Sequence, residues 1–422
     1  MHIRKKLGKL LKYRHIASRI SLKNRKDRIL SILSMTALVS SLGILFIILG
    51  SIVNNGYNAL TTTKILLSIT INNDTIEQQD KLTLRNNLIY FIHQSLEELF
   101  SNVIDLSNPD NRKIIYNTIN DTAHHNLADF LLKNPKSTKF NIWFQSSTTF
   151  NKAIKNKNIN HAIYQKVIAK LQNENRIKVS FNDALFTKYN SRSPENTGIL
   201  GSLIGSMFTI IICLTFALPI GITSGICLSE LIPKNKISSI IEISITNLAS
   251  VPSIIFGILG LAIYINIFDI PRSSALIGGM TLSLMMLPNL VTSTKQAFAA
   301  VPPSVKDAAF SLGASNMQVI LHHSFPIALP SIMQGAILSI ARILGESSPL
   351  IMIGMVAFIV DIPKDFLDPT TVLPVQIYMW ASNPHIEFIQ LAAIAIVALL
   401  LMLLILNLIV TFIRKKFDHF IF

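Results

Sequence analysis

What most limits the fold of this 422-residue chain is a set of apolar runs, each long enough to cross a hydrocarbon layer. About 20 consecutive apolar residues span a bilayer core. Ile29 to Val53, Asn196 to Ser229, Ile243 to Phe268, Ser273 to Thr294 and Phe388 to Ile413 carry no charge. Ser324 to Val360 is interrupted only by Arg342 and Glu346. Within a bilayer every backbone polar group needs an internal partner, so such runs fold as helices. Half of the residues are hydrophobic and only 14% are charged, which argues against an ordinary soluble protein. The expected fold class is an all-α polytopic membrane protein with six transmembrane helices. It carries one small extracytoplasmic α/β domain, inserted after the first span.

The charge distribution orients these spans. The chain holds 38 Lys and Arg against 23 Asp and Glu, a net charge of +15. Eleven of the bases, from Arg4 to Arg28, precede the first apolar run. That placement is a positive-inside signal rather than a nucleic-acid arm. Residues 1–29 are therefore expected as a basic cytoplasmic tail and 30–53 as an uncleaved anchor. An even number of spans returns the carboxyl end to the cytoplasm, where Arg414, Lys415 and Lys416 open a tail over 414–422. Both termini are expected in the cytoplasm. Cys213 and Cys227 share one apolar run, and fourteen helical residues would hold them about 21 Å apart, so they read as packing residues.

Residues 54–195 differ in character, with 17 bases, 12 acids and no spanning run. "KILLSITINN", "KFNIWFQSS" and "RIKVSFND" have strand-like composition. "EQQDKLTLRNNLIYFIHQSLEELF" and "NKAIKNKNINHAIYQKVIAKLQNE" place apolar residues at helical spacing. The expectation is one α/β domain outside the cytoplasm. The adjacent pair His124 and His125, like His322 and His323, lacks a third ligand and reads as interfacial polar residues rather than a metal site.

Residues 196–413 are expected as a five-span core with a cytoplasmic loop at 301–326. In that loop Ser304 can cap a short helix with Asp307 in its first turn. Gly313 suits a left-handed helix end. Ser315 and Gln318 form a capping box for a second short helix, and Pro326 marks the start of the next span. Ala308, Ala309, Phe310 and Leu312 give the first helix an apolar side. Small residues at Gly201/Gly205 and Gly221/Gly225 have the spacing that lets helices approach closely.

"DAAFSLGASNMQVILHHSFP" resembles the coupling loop of bacterial ABC-importer permeases at Asp307, Ala308, Ala309, Gly313 and Pro326. Asp307 stands where that family has Glu, His323 at its usual Ile and Phe325 at its usual Leu. "LASVPSIIFGILG", "ARILGESSPLI" and "SRSPENTGILGSLIGS" are similar to the phosphate-importer permeases of the PstA type, in the form with a large extracytoplasmic insertion. The resemblance implies a bacterial inner-membrane subunit with a PstC-type sister permease, a PstB-type ATPase dimer and a PstS-type phosphate-binding protein. It implies no cofactor in this chain, with ATP and Mg used by the ATPase. The sequence has no G-x-x-x-x-G-K-[ST] phosphate loop, as expected of a permease that is not itself an enzyme.

Arg342 and Glu346 are the anomaly. A charge at the centre of a span costs about 2.5–3.5 kcal/mol on insertion scales. An i, i+4 pair with Arg first recovers only a few tenths of a kcal/mol. A static pair locking two helices is one reading. The other is a translocation site, since guanidinium donors match phosphate oxygens and the family associates this Arg and Glu with phosphate passage. An ABC permease for another anion, a proton-coupled carrier using the same pair, and a membrane sensor with 54–195 as its ligand domain are the alternatives.

Overall fold

The computed structural model describes residues 2–70, 81–133, 139–155, 162–188, 190–191, 193–356, 358–359 and 361–418. The side chains of the basic tail before Asp27 lie outside the described residues. Helix α1 runs from His2 to Leu60. Its portion up to Asn55 is one compact unit, and Gly56–Phe422 is the other. In the first unit, apolar side chains from Ile29 to Val53 stand exposed along the helix. A helix that is apolar on all sides is stable only when lipid or protein covers it.

The second unit begins with a three-stranded antiparallel sheet. Strand β1 (Thr61–Thr70) lies between β2 (Lys139–Gln145) and β3 (Ile177–Phe181). Lys64 faces Gln145 on one side and Lys178 on the other. Because side chains alternate along a strand, Ile65, Leu67 and Ile69 all point inward and are fully buried. They meet Leu96 and Phe100 of α2 (Lys81–Phe100), Leu127 of α4 (Ala123–Lys133) and Phe144 of β2. Helix α3 (Pro109–Tyr116) starts at Asn108, whose side chain accepts a bond from the Asp110 amide. In the second helical stretch expected from sequence, the described residues form α5 (Thr148–Lys155) and α6 (Ala162–Asn173). The part of that stretch between them, 156–161, lies outside the described residues.

This sheet region is mounted on the helical core by polar ties. The Asn120 and Asn196 side-chain amides donate to each other at 3.0 Å. Lys188 Nζ donates to Asn196 Oδ1 at 2.9 Å. Lys152 pairs with Glu387, at the start of the last span. Just past β3, short α7 (Ala184–Thr187) places Leu185 in a cluster with Ile199, Leu373, Trp380, Phe388 and Leu391.

Five described helices are long and apolar enough to cross a membrane: Asp27–Tyr57, Leu200–Leu231, Ala275–Ala299, Asn316–Leu344 and Ile386–Lys416. The run expected as one span over Ile243–Phe268 is a sharply bent pair. Helix α9 (Lys236–Ala249) and the helix from Ser253, α10 (Ser253–Gly260) with its π-helical extension Leu261–Ile265, meet at 99°. Pro252 lies in the break and has no N–H to continue α9, while a proline disfavours helical backbone at the residue before it. Counted as one broken span, the bent pair brings the number to the six expected; as a re-entrant loop it leaves five.

The centre of the bundle is α8 (Leu200–Ile226) against α11 (Ala275–Ala299). A Cβ built on Gly279 would lie 2.6 Å from Ile212 Cβ and 2.7 Å from the Thr209 carbonyl oxygen. One on Gly225 would lie 2.5 Å from Thr294 Cβ. The Gly221/Gly225 pair therefore does permit close helix approach; of the other pair, Gly205 lies tight against Thr370 and the Thr371 carbonyl of a non-helical segment, while Gly201 has only the Asp361 carbonyl oxygen at 3.9 Å. Cys213, Leu282, Met286 and Leu290 fill the contact, joined by Ile340 and Ile343 of α14 (Phe325–Leu344).

Gly279→Leu should destabilise the bundle by roughly 1–3 kcal/mol, as overpacking of a tight core does, and Gly279→Ala by less. Thermal unfolding of the detergent-purified protein measures it. Equal melting of both variants and parent would remove the close approach as a determinant of stability.

Candidate functional site

The loop at 301–326 begins with helix α12 (Pro303–Ser311). Its N-cap is Pro302, with Pro303 at the first helical position, rather than Ser304. A proline is pre-set for that position, where its missing N–H is not needed. Asp307 consequently lies beyond the first turn. Gly313 has φ of +82° and ends the helix in the left-handed conformation, as expected. Gln318 Oε1 accepts from the Ser315 amide at 2.8 Å, the expected reach back in the capping box.

The second helix of the loop is not a separate short element. Helix α13 (Asn316–Gln318) runs on through a π-helical stretch, Val319–Ser324, into α14. Pro326 therefore lies inside a continuous helix and does not mark its start. The widened turn ahead of it relieves the conflict between a proline and the preceding helical carbonyls.

The apolar side of α12 is only partly as expected. Ala309 is 4% exposed and packs inward. Phe310 at 46% and Leu312 at 89% point outward, as do Met317 and Leu321 of the following helix. Ala308, Asp307 and both His322 and His323 are also exposed. Together they form an exposed apolar knob on a well-anchored base. The base is a cluster of Phe298, Val301, Ile320, Ala328 and Ile332.

One ion pair was not legible in sequence. Lys306 Nζ reaches both carboxylate oxygens of Glu230, at 2.7 and 2.8 Å, and both side chains are largely shielded from solvent. Glu230 lies in the π-helical turn Cys227–Leu231 that ends the α8 span. The pair bolts α12 to the helix at the centre of the bundle. Lys295 and Glu242 make a similar tie, at 2.6 Å, between α11 and α9.

Arg342 and Glu346 do not form the helical pair that their spacing suggests. Arg342 sits in the last turn of α14, where the partial negative charge of a helix end favours a cation. The helix stops at Gly345, so Glu346 falls in the break before α15 (Ser348–Met352), its amide donating to the Ile343 carbonyl at 3.1 Å. Among the described residues neither side chain has an ion-pair partner. Arg342 is exposed and Glu346 half-buried. The break is braced from behind, for a Cβ on Gly257 of α10 would meet the Pro349 carbonyl oxygen at 2.6 Å.

The exposed face of α14 runs Ser331, Gln334, Leu338, Arg342, at helical spacing. Gln334 was not singled out from sequence, although its place eight residues before Arg342 gives the signal. A guanidinium and an amide on the outside of an apolar bundle would be costly against lipid. This face fits contact with protein or water, not hydrocarbon.

Residues 217–421 match the family described as binding-protein-dependent transport system inner membrane component. Residues 17–163 match a domain of unknown function, DUF3333. The phosphate transport system permease protein PstA of Haemophilus influenzae is 32% identical over 49% of this chain and 72% of its own length. The PstA of Yersinia pestis is 30% identical over 55% of this chain and 79% of its own. A solved structure of the MetNI methionine ABC transporter is 19% identical, with a TM-score of 0.38, over 52% of this chain and 92% of that one. The family match and the curated relatives define a permease subunit of an ABC importer, a multi-pass membrane protein. The chain belongs to the PstA family of such permeases.

A double-mutant cycle on Lys306→Met and Glu230→Gln should give a coupling energy of about 1 kcal/mol in stability, the upper end for part-exposed ion pairs. Transport should fall in each single variant and recover in part on exchanging the two charges. Additive effects with no recovery would make the contact incidental.

Proposed function

We propose that this chain is a membrane-spanning subunit of an ATP-driven inorganic phosphate importer, with Arg342 as its transient anion contact. The observation that carries this reading is the exposed, unpaired guanidinium at the end of α14, in line with Gln334 on one face. Planar N–H donors suit phosphate oxygens. The relatives' names supply the ion.

A site at a helix C-terminus holds anions weakly, because the helix end is partially negative. Weak binding suits a pathway that must release its cargo, and leaves selectivity to a separate binding protein. Glu346, one residue past the helix stop, takes the guanidinium back once phosphate has left. Gly345 between them lets the two side chains meet or part without unwinding α14.

Closure of a PstB-type ATPase dimer around the Phe310–Leu312 knob would move α12. The Lys306–Glu230 pair would carry that motion to α8, and the glycine contact would carry it on to α11. A PstC-type sister permease would cover the open face of α14, with phosphate delivered from a PstS-type binding protein. Both termini and the 301–326 loop face the cytoplasm in this arrangement, and the sheet region faces the opposite side. ATP and Mg act on the ATPase, with no cofactor in this chain.

Radiolabelled phosphate uptake by the assembled complex tests the reading, at equal membrane abundance and with excess sulfate present. Losing a charged hydrogen bond to the ion costs about 1.5–3 kcal/mol, so Arg342→Ala should lower uptake by about ten- to a hundredfold. Arg342→Lys should recover only part of it, and Glu346→Gln should slow turnover. Full uptake in Arg342→Lys would remove the planar-donor role, and sulfate uptake equal to phosphate would overturn the substrate.

A further inference from the structure

Helix α9 has a start of its own. Asn235 Oδ1 accepts from the Ser238 amide at 2.9 Å, and Ser238 Oγ accepts from the Asn235 amide at 3.0 Å, a complete capping box. The helix has 14 residues and turns through 99° into α10. At about 21 Å long it is too short to cross a bilayer core. Glu242 ties it to Lys295 of α11, whereas a Cβ on Gly260 of α10 would collide with the Thr281 side chain of α11. Thr281 and Lys295 lie about 21 Å apart along that helix. Helix α10 therefore climbs beside α11, and α9 lies across the end of the bundle from which α12 departs.

One face of α9 is turned to the bundle. Ser238 is buried there, with Glu242, Ile245 and Ala249 half-buried at helical spacing. The neighbouring stripe of Ile237, Ile240, Ile241, Ser244 and Leu248 is exposed. The Ser244 hydroxyl donates to the Ile240 carbonyl at 2.8 Å, so the stripe offers no free polar group. Glu242, the one acid of α9, is held off it by Lys295. Ser239, Thr246 and Asn247 take the opposite side, with Ile243 the one apolar side chain among them.

An exposed apolar stripe rimmed by polar residues marks a protein or membrane contact, and two features here point to lipid. Past the bend the exposed surface stays apolar, through Ile254, Ile255, Ile258 and Leu259 of α10. Ahead of the stripe, Lys234 and Lys236 are exposed and have no ion-pair partner among the described residues. Lysines beside an apolar stripe complement an anionic headgroup layer, since their long stems reach the headgroups while the apolar side chains dip below.

We propose that α9 is an interfacial anchor. Its stripe of Ile237, Ile241 and Leu248 sinks into the acyl boundary of the bilayer at this end of the bundle, with Lys234 and Lys236 against anionic lipid headgroups. Because Lys295 fastens α9 to the closely packed α8 and α11, the bilayer surface then sets the depth of the central helices. This holds whichever ion crosses the membrane.

Nitroxide labels on single introduced cysteines test this, in the full chain alone and in the assembled importer, in liposomes containing phosphatidylglycerol. Cys227→Ser removes the accessible native thiol, and Cys213 is fully buried. Collisions with oxygen, which partitions into lipid, should be highest at Ile237→Cys, Ile241→Cys and Leu248→Cys. Collisions with an aqueous nickel chelate should be highest at Ser239→Cys and Thr246→Cys. All five positions are exposed, so labels there leave the packing intact. Lys234→Gln with Lys236→Gln, or liposomes of phosphatidylcholine alone, should lower the oxygen preference at Ile237→Cys and leave that at Leu248→Cys unchanged. The proposal is overturned if the nickel chelate reaches the stripe as readily as Ser239→Cys, or if both reagents are shut out of the stripe, as a covering protein would do. It is equally overturned if removing the lysines and removing the anionic lipid both leave Ile237→Cys unchanged.

Discussion

The contact between α8 and α11 is the constraint on which the rest of the helical core depends. Two helix backbones come together there at a distance that no side chain larger than hydrogen would allow at Gly225 and Gly279. Everything with a functional reading is hung from that pair. Glu230 ends the α8 span and holds α12, Lys295 near the end of α11 holds α9, and the α14 face carrying Arg342 has its back against the same core. In a lipid setting, where burial of apolar surface does little to hold helices together, such backbone proximity and a few polar ties supply the cohesion.

The elements set by local chemistry were legible in the sequence. The strand-like composition of "KILLSITINN" predicts β1, and the apolar runs predict the spans. Gly313 and the Ser315–Gln318 box predict the corner of the 301–326 loop. Where the reading failed, a neighbour in space decided. Pro326 looks like a helix start because proline usually is one, yet a π turn upstream absorbs it. The helical pair of Arg342 and Glu346, already too weak by its spacing to offset two charges in a span, does not form because the helix ends at Gly345 between them. Nothing local marks Glu230 as the partner of Lys306, or Asn120 as that of Asn196, since each pair is about 76 residues apart and its meeting is a property of the whole fold.

The charges left on this core divide into two kinds. Some near the ends of spans are paired within the chain, as Lys306 with Glu230 and Lys295 with Glu242. Arg342, inside an apolar run, has no ion-pair partner among the described residues. Paired charges fix geometry, while a charge presented on an open face can exchange partners. In the sheet region Tyr116 is committed to Glu97, while the buried His124 Nε2 has no donor among the described residues.

The π-helical stretch at Val319–Ser324 carries a further consequence. In an unbroken α-helix each added residue turns everything beyond it by about 100°, so a docking surface at one end would dictate which side chains face outward at the other. A widened turn acts as a slack link: it takes up an extra residue where it stands. The knob that includes Met317 and Leu321 and the stripe that ends at Arg342 can then be phased separately along one rod. A lineage can then change the side chains at one end of this helix without rotating the face it presents at the other.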